Sequence, residues 1–326
     1  MNAAGAAAAA LVVLMAVNGV GPAQGAAPLA HEFADVNGVR LHYAKAGTGP
    51  LVVFVHGFPE FWYEWKHQLA EFGKDHLVVA PDMRGYNLSS KPTALDDYQM
   101  PKLVEDLRAL TSAILKASGQ TKFTLVAHDW GGVVAWVFAA QHPEMLDRLV
   151  IVNAPHPTIF GRLLREDPEQ QKASQYMLMF RSPAAEATLS QNNYEPLVNA
   201  VLGAGLRSGT VTDEDQKEYI SAWSQPGALT GGLNYYRAAQ IGPPPQGAAV
   251  PSQEAAAAAA QPMVVRVPTL VIWGEKDTAL LTSNLEGLDK VVPSLTVKRI
   301  PDGTHWVVRE NAPEVNRLIR EYLAQP

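Results

Sequence analysis

Six short, almost unbroken apolar runs constrain the fold of this chain more than any other feature. Runs of this length, rich in Val, Leu and Ile, are typical of strands that are buried on both faces of a mainly parallel sheet. Helical patterns lie between the runs, so we predict an α/β fold in which helices flank the sheet. The runs are LVVFV (51–55), HLVVAP (76–81), FTLVAH (123–128), LVIVNAP (149–155), TLVIWG (269–274) and LTVKRI (295–300).

Two local patterns support this prediction. Residues 31–47 alternate in polarity on either side of Asn37-Gly38, a pair that is typical of a tight β-hairpin turn. Residues 101–119 carry leucines at the spacing of one helical face and end in Gly119, which is suited to stop a helix. The sequence therefore predicts a hairpin that leads into the strand–helix alternation.

The alternation breaks in the middle of the chain, where helical patterns occur without a comparable apolar run. We interpret residues 157–240 as a helical lid inserted into the core, which is thereby divided into residues 28–156 and 263–326. Residues 241–262 are rich in Pro and Ala, a composition typical of a linker, and we interpret them as the connection back to the core.

The first 27 residues differ from the rest of the chain in composition. An Ala-rich apolar run is followed by Gly-Pro and small residues, as in a signal peptide with its cleavage site. The run is shorter than the roughly 20 apolar residues that a membrane-spanning helix needs. We expect a signal peptide and entry into the secretory pathway. Because no Lys or Arg precedes Arg40, a disordered leader on a cytoplasmic protein is the alternative.

Composition excludes several classes of function. The 326 residues include 26 basic and 32 acidic side chains, a net charge of −6 without a basic cluster, so we expect no nucleic-acid partner. The chain has no cysteine, which excludes disulfides, thiolate metal sites and cysteine nucleophiles. No set of residues suggests a metal or an organic cofactor, and we expect neither.

Residues with chemical potential follow four of the predicted strands. In an open parallel sheet, functional side chains gather beyond the carboxyl ends of the strands. These ends carry His56-Gly57-Phe58-Pro59, Asp129-Trp130, Asp277 and His305-Trp306. A nucleophile, an acid and a histidine occur in the order typical of α/β-hydrolases, with Asp129 in the nucleophile position.

Asp129 lies at the centre of a turn that is built from small residues. Ala127 and Gly131 flank it at −2 and +2, where a sharp strand-to-helix turn excludes larger side chains, and Gly132 eases the packing of the helix. An aspartate that only caps the helix is the alternative interpretation. The downstream acid and histidine favour the nucleophile, and we interpret His128 as a packing residue.

The remaining site residues have distinct predicted roles. Asp277, with Glu275 as a rival, would accept a hydrogen bond from the imidazole of His305 and stabilise its charged form. The backbone amides of Phe58 and Trp130 would form an oxyanion hole. Aromatic side chains would line an apolar pocket, although each could be plain core. These aromatic residues are Phe58, Trp62, Trp130 and Trp306.

The combined motifs resemble those of epoxide hydrolases of the α/β-hydrolase superfamily, over about residues 31–325. Two lid segments extend the likeness. LTGGLNYYRAA and SQYMLMFRSP are similar to the family segments whose tyrosines hydrogen-bond the epoxide oxygen, which implies this role for Tyr236 and Tyr176. Packing tyrosines are the alternative, and Tyr235 is the neighbour most easily confused with Tyr236. The core motifs are HGFPEFWYEW, DMRGYNLSSKP, VAHDWGG, VIWGEKD and GTHW.

An aspartate suits this chemistry because an ionised carboxylate can open an epoxide carbon without an activating base. The resulting ester of Asp129 can be cleaved by water that His305 deprotonates, whereas serine would form a stable ether. The expected partners are therefore a small apolar epoxide and water, with a vicinal diol as product. No motif indicates an oligomeric state.

Two other functions remain open from the sequence. Haloalkane and haloacid dehalogenases also use an aspartate nucleophile. The haloalkane enzymes have a motif similar to HGNP where this chain has HGFP, and the haloacid enzymes have a motif similar to Asp-Arg where it has Asp129-Trp130. A non-catalytic small-molecule binding protein that kept the fold is the second alternative. The complete set of nucleophile, acid and base argues against such a binding protein, and haloalkane dehalogenases also lack the pair of lid tyrosines.

Overall fold

The computed structural model describes residues 29–244 and 262–325, and the strands within these ranges form one sheet. They are β1 (Ala30–Val36), β2 (Val39–Ala46), β3 (Leu51–Val55), β4 (Leu77–Pro81), β5 (Phe123–His128), β6 (Leu146–Val152), β7 (Thr269–Gly274) and β8 (Leu295–Ile300). Their order across the sheet is β1-β2-β4-β3-β5-β6-β7-β8. The pairs β1–β2 and β2–β4 are antiparallel, and all other pairs in this order are parallel.

The helices divide into those that cover the sheet and those that lie between β6 and β7. In chain order they are α1 (Lys66–Phe72), α2 (Met100–Ser118), α3 (Asp129–Gln141), α4 (Pro157–Glu166), α5 (Pro168–Ala173), α6 (Tyr176–Arg181), α7 (Ala185–Leu189), α8 (Gln191–Leu197), α9 (Gly203–Ser208), α10 (Asp213–Trp223), α11 (Ala228–Ala239), α12 (Val307–Glu310) and α13 (Ala312–Leu323). We call the stretch from α4 to α11 the helical insert.

The two faces of the sheet pack against different helices. Successive side chains of a strand point to opposite faces, and β3 shows the result. Val53 belongs to a buried cluster that includes Leu107 of α2, whereas Phe54 belongs to a second cluster with Phe72 of α1 and Ile319 of α13. Burial on both faces explains why the central strands are apolar along their whole length.

The topology confirms the predicted α/β fold and the hairpin, in which β1 pairs with β2 around Asn37-Gly38. Two details of the strand prediction are wrong. β6 ends at Val152 rather than at residue 155, because Asn153 has a φ of +36° and turns the chain out of the sheet. β8 is not buried on both faces, because it lies at the edge of the sheet.

Two interpreted segments fall outside the described part of the chain. The leader (1–27) lies wholly outside it, and most of the linker (241–262) does so as well. Within residues 29–244 and 262–325, no helix combines the length and the apolar character required to cross a membrane.

Candidate active site

Asp129 occupies a strained turn between β5 and α3. Its φ is +48°, in the left-handed region that non-glycine residues rarely adopt outside functional sites. A Cβ on Gly131 would lie 2.4 Å from the carbonyl oxygens of Val55 and His56, and one on Gly132 would lie 2.2 Å from the Ala154 Cβ. Only small residues therefore allow this turn, as the sequence context of Asp129 indicates.

Asp277 and His305 meet Asp129 at the carboxyl end of the sheet. The Nδ1 atom of His305 lies 2.7 Å from Asp277 Oδ2, a hydrogen-bond distance in which the imidazole donates. The Nε2 atom of His305 lies 3.6 Å from Asp129 Oδ2. The structure thus brings together three residues that are separated by up to 176 positions, and it points the second imidazole nitrogen at the proposed nucleophile. The rival Glu275 instead binds Arg299.

The Asp277 carboxylate is held by three further donors. Its Oδ1 accepts from the amides of Ala279 (2.8 Å) and Leu280 (2.9 Å), and its Oδ2 accepts from Asn153 Nδ2 (2.8 Å). Asn153 in turn accepts from the Gly274 amide at 2.7 Å. Sequence reasoning missed Asn153, whose position directly after β6 was the available signal.

The loop after β3 contacts the nucleophile directly. The Phe58 amide donates to Asp129 Oδ1 at 2.7 Å, and a Cβ on Gly57 would lie only 2.3 Å from the Asp129 Cβ. His56 fixes this loop, since its Nδ1 donates to the Gly57 carbonyl and its Nε2 accepts from the Met83 amide. The oxyanion role of the Trp130 amide stays a prediction.

A cavity of about 410 Å³ lies over Asp129, and both candidate tyrosines line it. The rings of Tyr176 and Tyr236 have centroids 6.4 Å apart, and Tyr236 also packs edge-on against Phe58 at 5.4 Å. Tyr235 takes another direction, because its hydroxyl donates to the Arg84 carbonyl at 2.9 Å. Other lining residues include Met179, Phe180, Thr188, Leu189, Pro196, Leu197, Ala200, Val201, Thr278, His305 and Trp306.

Two of the four aromatic residues predicted for the pocket, Trp62 and Trp130, are not among the residues that line this cavity. The prediction is wrong for Trp62, and for Trp130 it stays a prediction. The Trp62 ring packs edge-on against His31 at 4.9 Å, on the side of β1. The Trp130 ring packs edge-on against two neighbouring tyrosines of α11, 5.6 Å from Tyr235 and 5.1 Å from Tyr236. Ring direction depends on packing partners that the local sequence does not specify.

Comparisons with known proteins give the family. A family model described as alpha/beta hydrolase fold matches residues 50–312. The chain is 38% identical to the AB hydrolase superfamily protein YfhM of Bacillus subtilis, over 90% of this chain and 97% of that protein. It is 36% identical to epoxide hydrolase 3 of Xenopus tropicalis, over 89% of this chain and 76% of that protein. A crystal structure of Bacillus megaterium epoxide hydrolase in complex with an inhibitor has a TM-score of 0.80 at 35% identity, covering 90% of this chain and 100% of that one.

The chain belongs to the epoxide hydrolases of the α/β-hydrolase superfamily. The resemblance inferred from the sequence motifs is thereby confirmed, and so is the predicted α/β-hydrolase fold. Epoxide hydrolases are hydrolases, so the chain is placed among enzymes.

In this member of the epoxide hydrolase family, the charges of Asp129 and His305 depend on each other. Burial alone would raise the pKa of Asp129, but the nearby positive charge of His305 and the Phe58 amide hold that pKa below its ordinary value. Burial alone would lower the pKa of His305, but Asp277 and Asp129 raise it well above its ordinary value. The negative charge of Asp129 and the positive charge of His305 therefore stabilise each other.

The two tyrosines keep their protons. Burial raises the pKa of both Tyr176 and Tyr236 well above the ordinary value, and the negative charge of Asp129 raises it further. Both hydroxyl groups are therefore hydrogen-bond donors across the neutral range.

A cluster of buried polar residues behind the site was not foreseen from the sequence. His128 was interpreted as a packing residue, but its Nε2 donates to the His305 carbonyl at 2.9 Å and its Nδ1 lies 2.5 Å from Glu64 Oε1. Beside this pair, Arg309 of α12 binds Glu60, which also accepts from Tyr219 of α10. These contacts join residues far apart in the chain, so no local motif predicts them. Among the described residues, no three His, Asp or Glu side chains are grouped to hold a metal ion.

Proposed function

We propose that this protein hydrolyses a small apolar epoxide to a vicinal diol through an ester of Asp129. The observation that carries the proposal is the position of Tyr176 and Tyr236 in the same cavity as the Asp129 carboxylate. A carboxylate nucleophile supplies the attacking oxygen, and two phenols donate hydrogen bonds to the departing oxygen. The helical insert, which provides both phenols, acts as the lid of the site.

The first step is displacement at a ring carbon. Asp129 Oδ1 is held by the Phe58 amide, so Oδ2 is the oxygen left to attack. As the new carbon–oxygen bond forms, the ring carbon–oxygen bond breaks and negative charge develops on the epoxide oxygen. The hydroxyls of Tyr176 and Tyr236 both donate hydrogen bonds to this oxygen and stabilise its charge, because they are donors placed in advance. One of the two phenols transfers its proton to the oxygen, and the proton that His305 gives up restores that phenol.

The second step is hydrolysis of the ester. His305 Nε2 takes a proton from water, which attacks the ester carbonyl carbon, and the oxyanion forms on Oδ1 where the Phe58 amide already donates. The oxyanion then collapses, the bond between the carbonyl carbon and Oδ2 breaks, and the departing diol oxygen takes the proton from His305. The Trp130 amide is the second donor of this proposed oxyanion hole. Ester formation also removes the negative charge of Asp129, one cause of the raised pKa of His305. The imidazole therefore loses its proton more easily once the ester exists, when a base is needed.

The alternative functions receive less support from this site. A halide leaving group needs no proton, so a dehalogenase gives the buried tyrosine pair no role. A protein that only binds an epoxide gives no role to the imidazole that faces Asp129. Release of halide would indicate a dehalogenase, and binding of an epoxide without any product would indicate a binding protein.

The test is a product analysis with the purified protein. Incubation with a panel of epoxides and haloalkanes should yield diols and no halide, and Asp129→Ala should abolish diol formation. A single turnover in heavy-oxygen water should place the label in the Asp129 carboxylate, because the diol oxygen then comes from the enzyme. Label in the diol on that first turnover would exclude the ester, and halide release without diol would favour a dehalogenase.

A further inference from the structure

At Gly231, the helix that carries Tyr236 approaches the core backbone to backbone. A Cβ on Gly231 of α11 would lie 2.3 Å from the carbonyl oxygen of Gly85 and 2.5 Å from its Cα atom. Gly85, in the loop after β4, has a φ of +91°, which favours glycine. A Cβ on Gly85 would in turn lie 3.0 Å from the Gly231 Cα. We call this approach the glycine contact.

The next residue of α11 rests on the loop that holds the nucleophile. A Cβ on Gly232 would lie 2.8 Å from the ring of Phe58 and 3.2 Å from the ring of Tyr86. The Phe58 amide is the donor to Asp129, so α11 and Asp129 both contact the same short loop after β3.

A hydrogen bond also joins α11 to the loop after β4. Tyr235 is fully buried, and its hydroxyl donates to the Arg84 carbonyl at 2.9 Å. Arg84 is itself immobilised, because its guanidinium makes two bonds of 2.5 Å to the Asp106 carboxylate and one of 2.7 Å to the Asp97 carbonyl. The loop under α11 is thereby tied to α2 of the core.

Tyr236 lies five residues beyond Gly231 on the same helix. At a rise of 1.5 Å per residue this is about 7.5 Å along the axis, too short a length of helix to absorb a displacement by bending. A shift of α11 at the glycine contact therefore moves the phenol of Tyr236 relative to Asp129.

We propose that the glycine contact and the Tyr235–Arg84 hydrogen bond set the position of the Tyr236 hydroxyl over Asp129. Gly85, Gly231 and Tyr235 are then positioning residues for ring opening, although none of them touches the substrate. This inference rests on the proposed function, because it concerns the donor that assists the first step.

The test is Gly231→Ala, followed by separate measurement of ester formation and ester hydrolysis in single turnovers. The added Cβ meets backbone atoms that cannot rotate away, so α11 must shift. A misplacement near 1 Å typically costs about 100-fold, so we expect ester formation to slow by about 10- to 100-fold. Ester hydrolysis should slow much less than ester formation, because that step uses His305 and the Phe58 amide and not the phenol.

Two comparisons separate positioning from general damage. In a Tyr236→Phe background the hydroxyl is absent, so adding Gly231→Ala should slow ester formation by less than about twofold more. An equal loss in both backgrounds would overturn the inference. Gly161→Ala is the matched control in α4 of the same insert, where the nearest heavy atom to a new Cβ is Arg165 Nη1 at 3.6 Å, and it should leave both rates unchanged.

Tyr235→Phe tests the same inference without a steric change. It removes one hydrogen bond, so ester formation should slow by about threefold to tenfold while hydrolysis is retained. This variant decides the matter if Gly231→Ala does not fold, and an unchanged rate of ester formation would overturn the inference. If the unmodified protein forms no ester of Asp129, the proposed function fails and this inference fails with it.

Discussion

His305 contacts two carboxylates through different nitrogens, and this separates their roles. Asp277 receives the Nδ1 hydrogen at 2.7 Å and is held by three other donors, so it orients the ring. Asp129 lies 3.6 Å from Nε2 and keeps one oxygen free for the substrate. In the proposed mechanism, one nitrogen of the imidazole is thus held by Asp277 while the other faces Asp129.

Replacement of His305 tests this separation. In His305→Gln the nucleophile remains, so ester formation should continue, while hydrolysis should slow by about 100-fold or more without the general base. Mass spectrometry of the intact protein should then show an increase equal to the mass of the epoxide. The adduct should be missing from Asp129→Ala, and a variant that still turns over at the original rate would contradict the assigned base.

At this scale the sequence predicts which residues meet, but not how every side chain points. Asp129, Asp277 and His305 could be placed because strand ends converge at one edge of a parallel sheet. Trp62 could not, because its ring direction depends on contact with His31 of β1. The contact of His128 with Glu64 also depends on tertiary packing, and no spacing in the sequence indicates it.

Among the elements, the helical insert contacts the core through the N-terminus of one of its helices, α10, as well as through helix faces. Helix α10 begins at Thr212 with a capping box, in which Thr212 Oγ1 accepts from the Asp215 amide at 3.2 Å and Asp215 accepts from the Thr212 amide at 2.8 Å. The same Asp215 carboxylate accepts from Tyr63 and binds Lys66, which follow β3. The cap therefore holds the start of α10 against the core.

Thr212→Ala should lower the free energy of unfolding by about 1 kcal/mol, since it removes the side-chain acceptor at the helix start. Urea unfolding of the full chain measures this as a lower midpoint. Ser221→Ala on the exposed side of the same helix is the matched control, and it should not lower the midpoint because alanine is the better helix former. Equal midpoints for the two variants would show that the cap contributes nothing.

Elements were easier to predict than their ends. The apolar runs predicted the central strands because a strand that is buried on both faces is apolar at nearly every position. The end of β6 was placed three residues too late, because the apolar and small residues after Val152 continue the pattern while the backbone of Asn153 turns away.

At the scale of the whole molecule, buried histidines connect stability to pH. Burial lowers the pKa of His156 from 6.5 to about 4, so this side chain is neutral in the folded protein. Between these two values the unfolded chain binds the proton and the folded chain does not, so stability is lost as the pH falls from about 6.5 towards 4. The raised pKa of His305 acts in the opposite direction, and its contribution is lost as the pH rises above 6.5.

His156→Asn should flatten the dependence of unfolding free energy on pH in this window, because asparagine does not titrate and can still accept from the Thr158 amide. The difference from the unmodified protein should grow to about 3 kcal/mol at most by pH 4. Chemical unfolding at a series of pH values measures it. Above pH 7 the two curves should run parallel, and parallel curves down to pH 4 would contradict the assignment to His156.

The two sides of the cavity differ in what a substitution would disturb. Phe58, Asp129 and Tyr236 belong to segments in direct contact, so changes there reach the reacting atoms. The opposite side takes its side chains from α7, α8 and the turn that follows. Trp306 and Arg309, which follow His305 in the chain, donate hydrogen bonds to backbone carbonyls of that turn. Natural selection can therefore exchange these side chains to admit bulkier or slimmer molecules while the reaction itself is inherited intact. The substituted positions would be Thr188, Leu189, Pro196, Leu197, Ala200 and Val201.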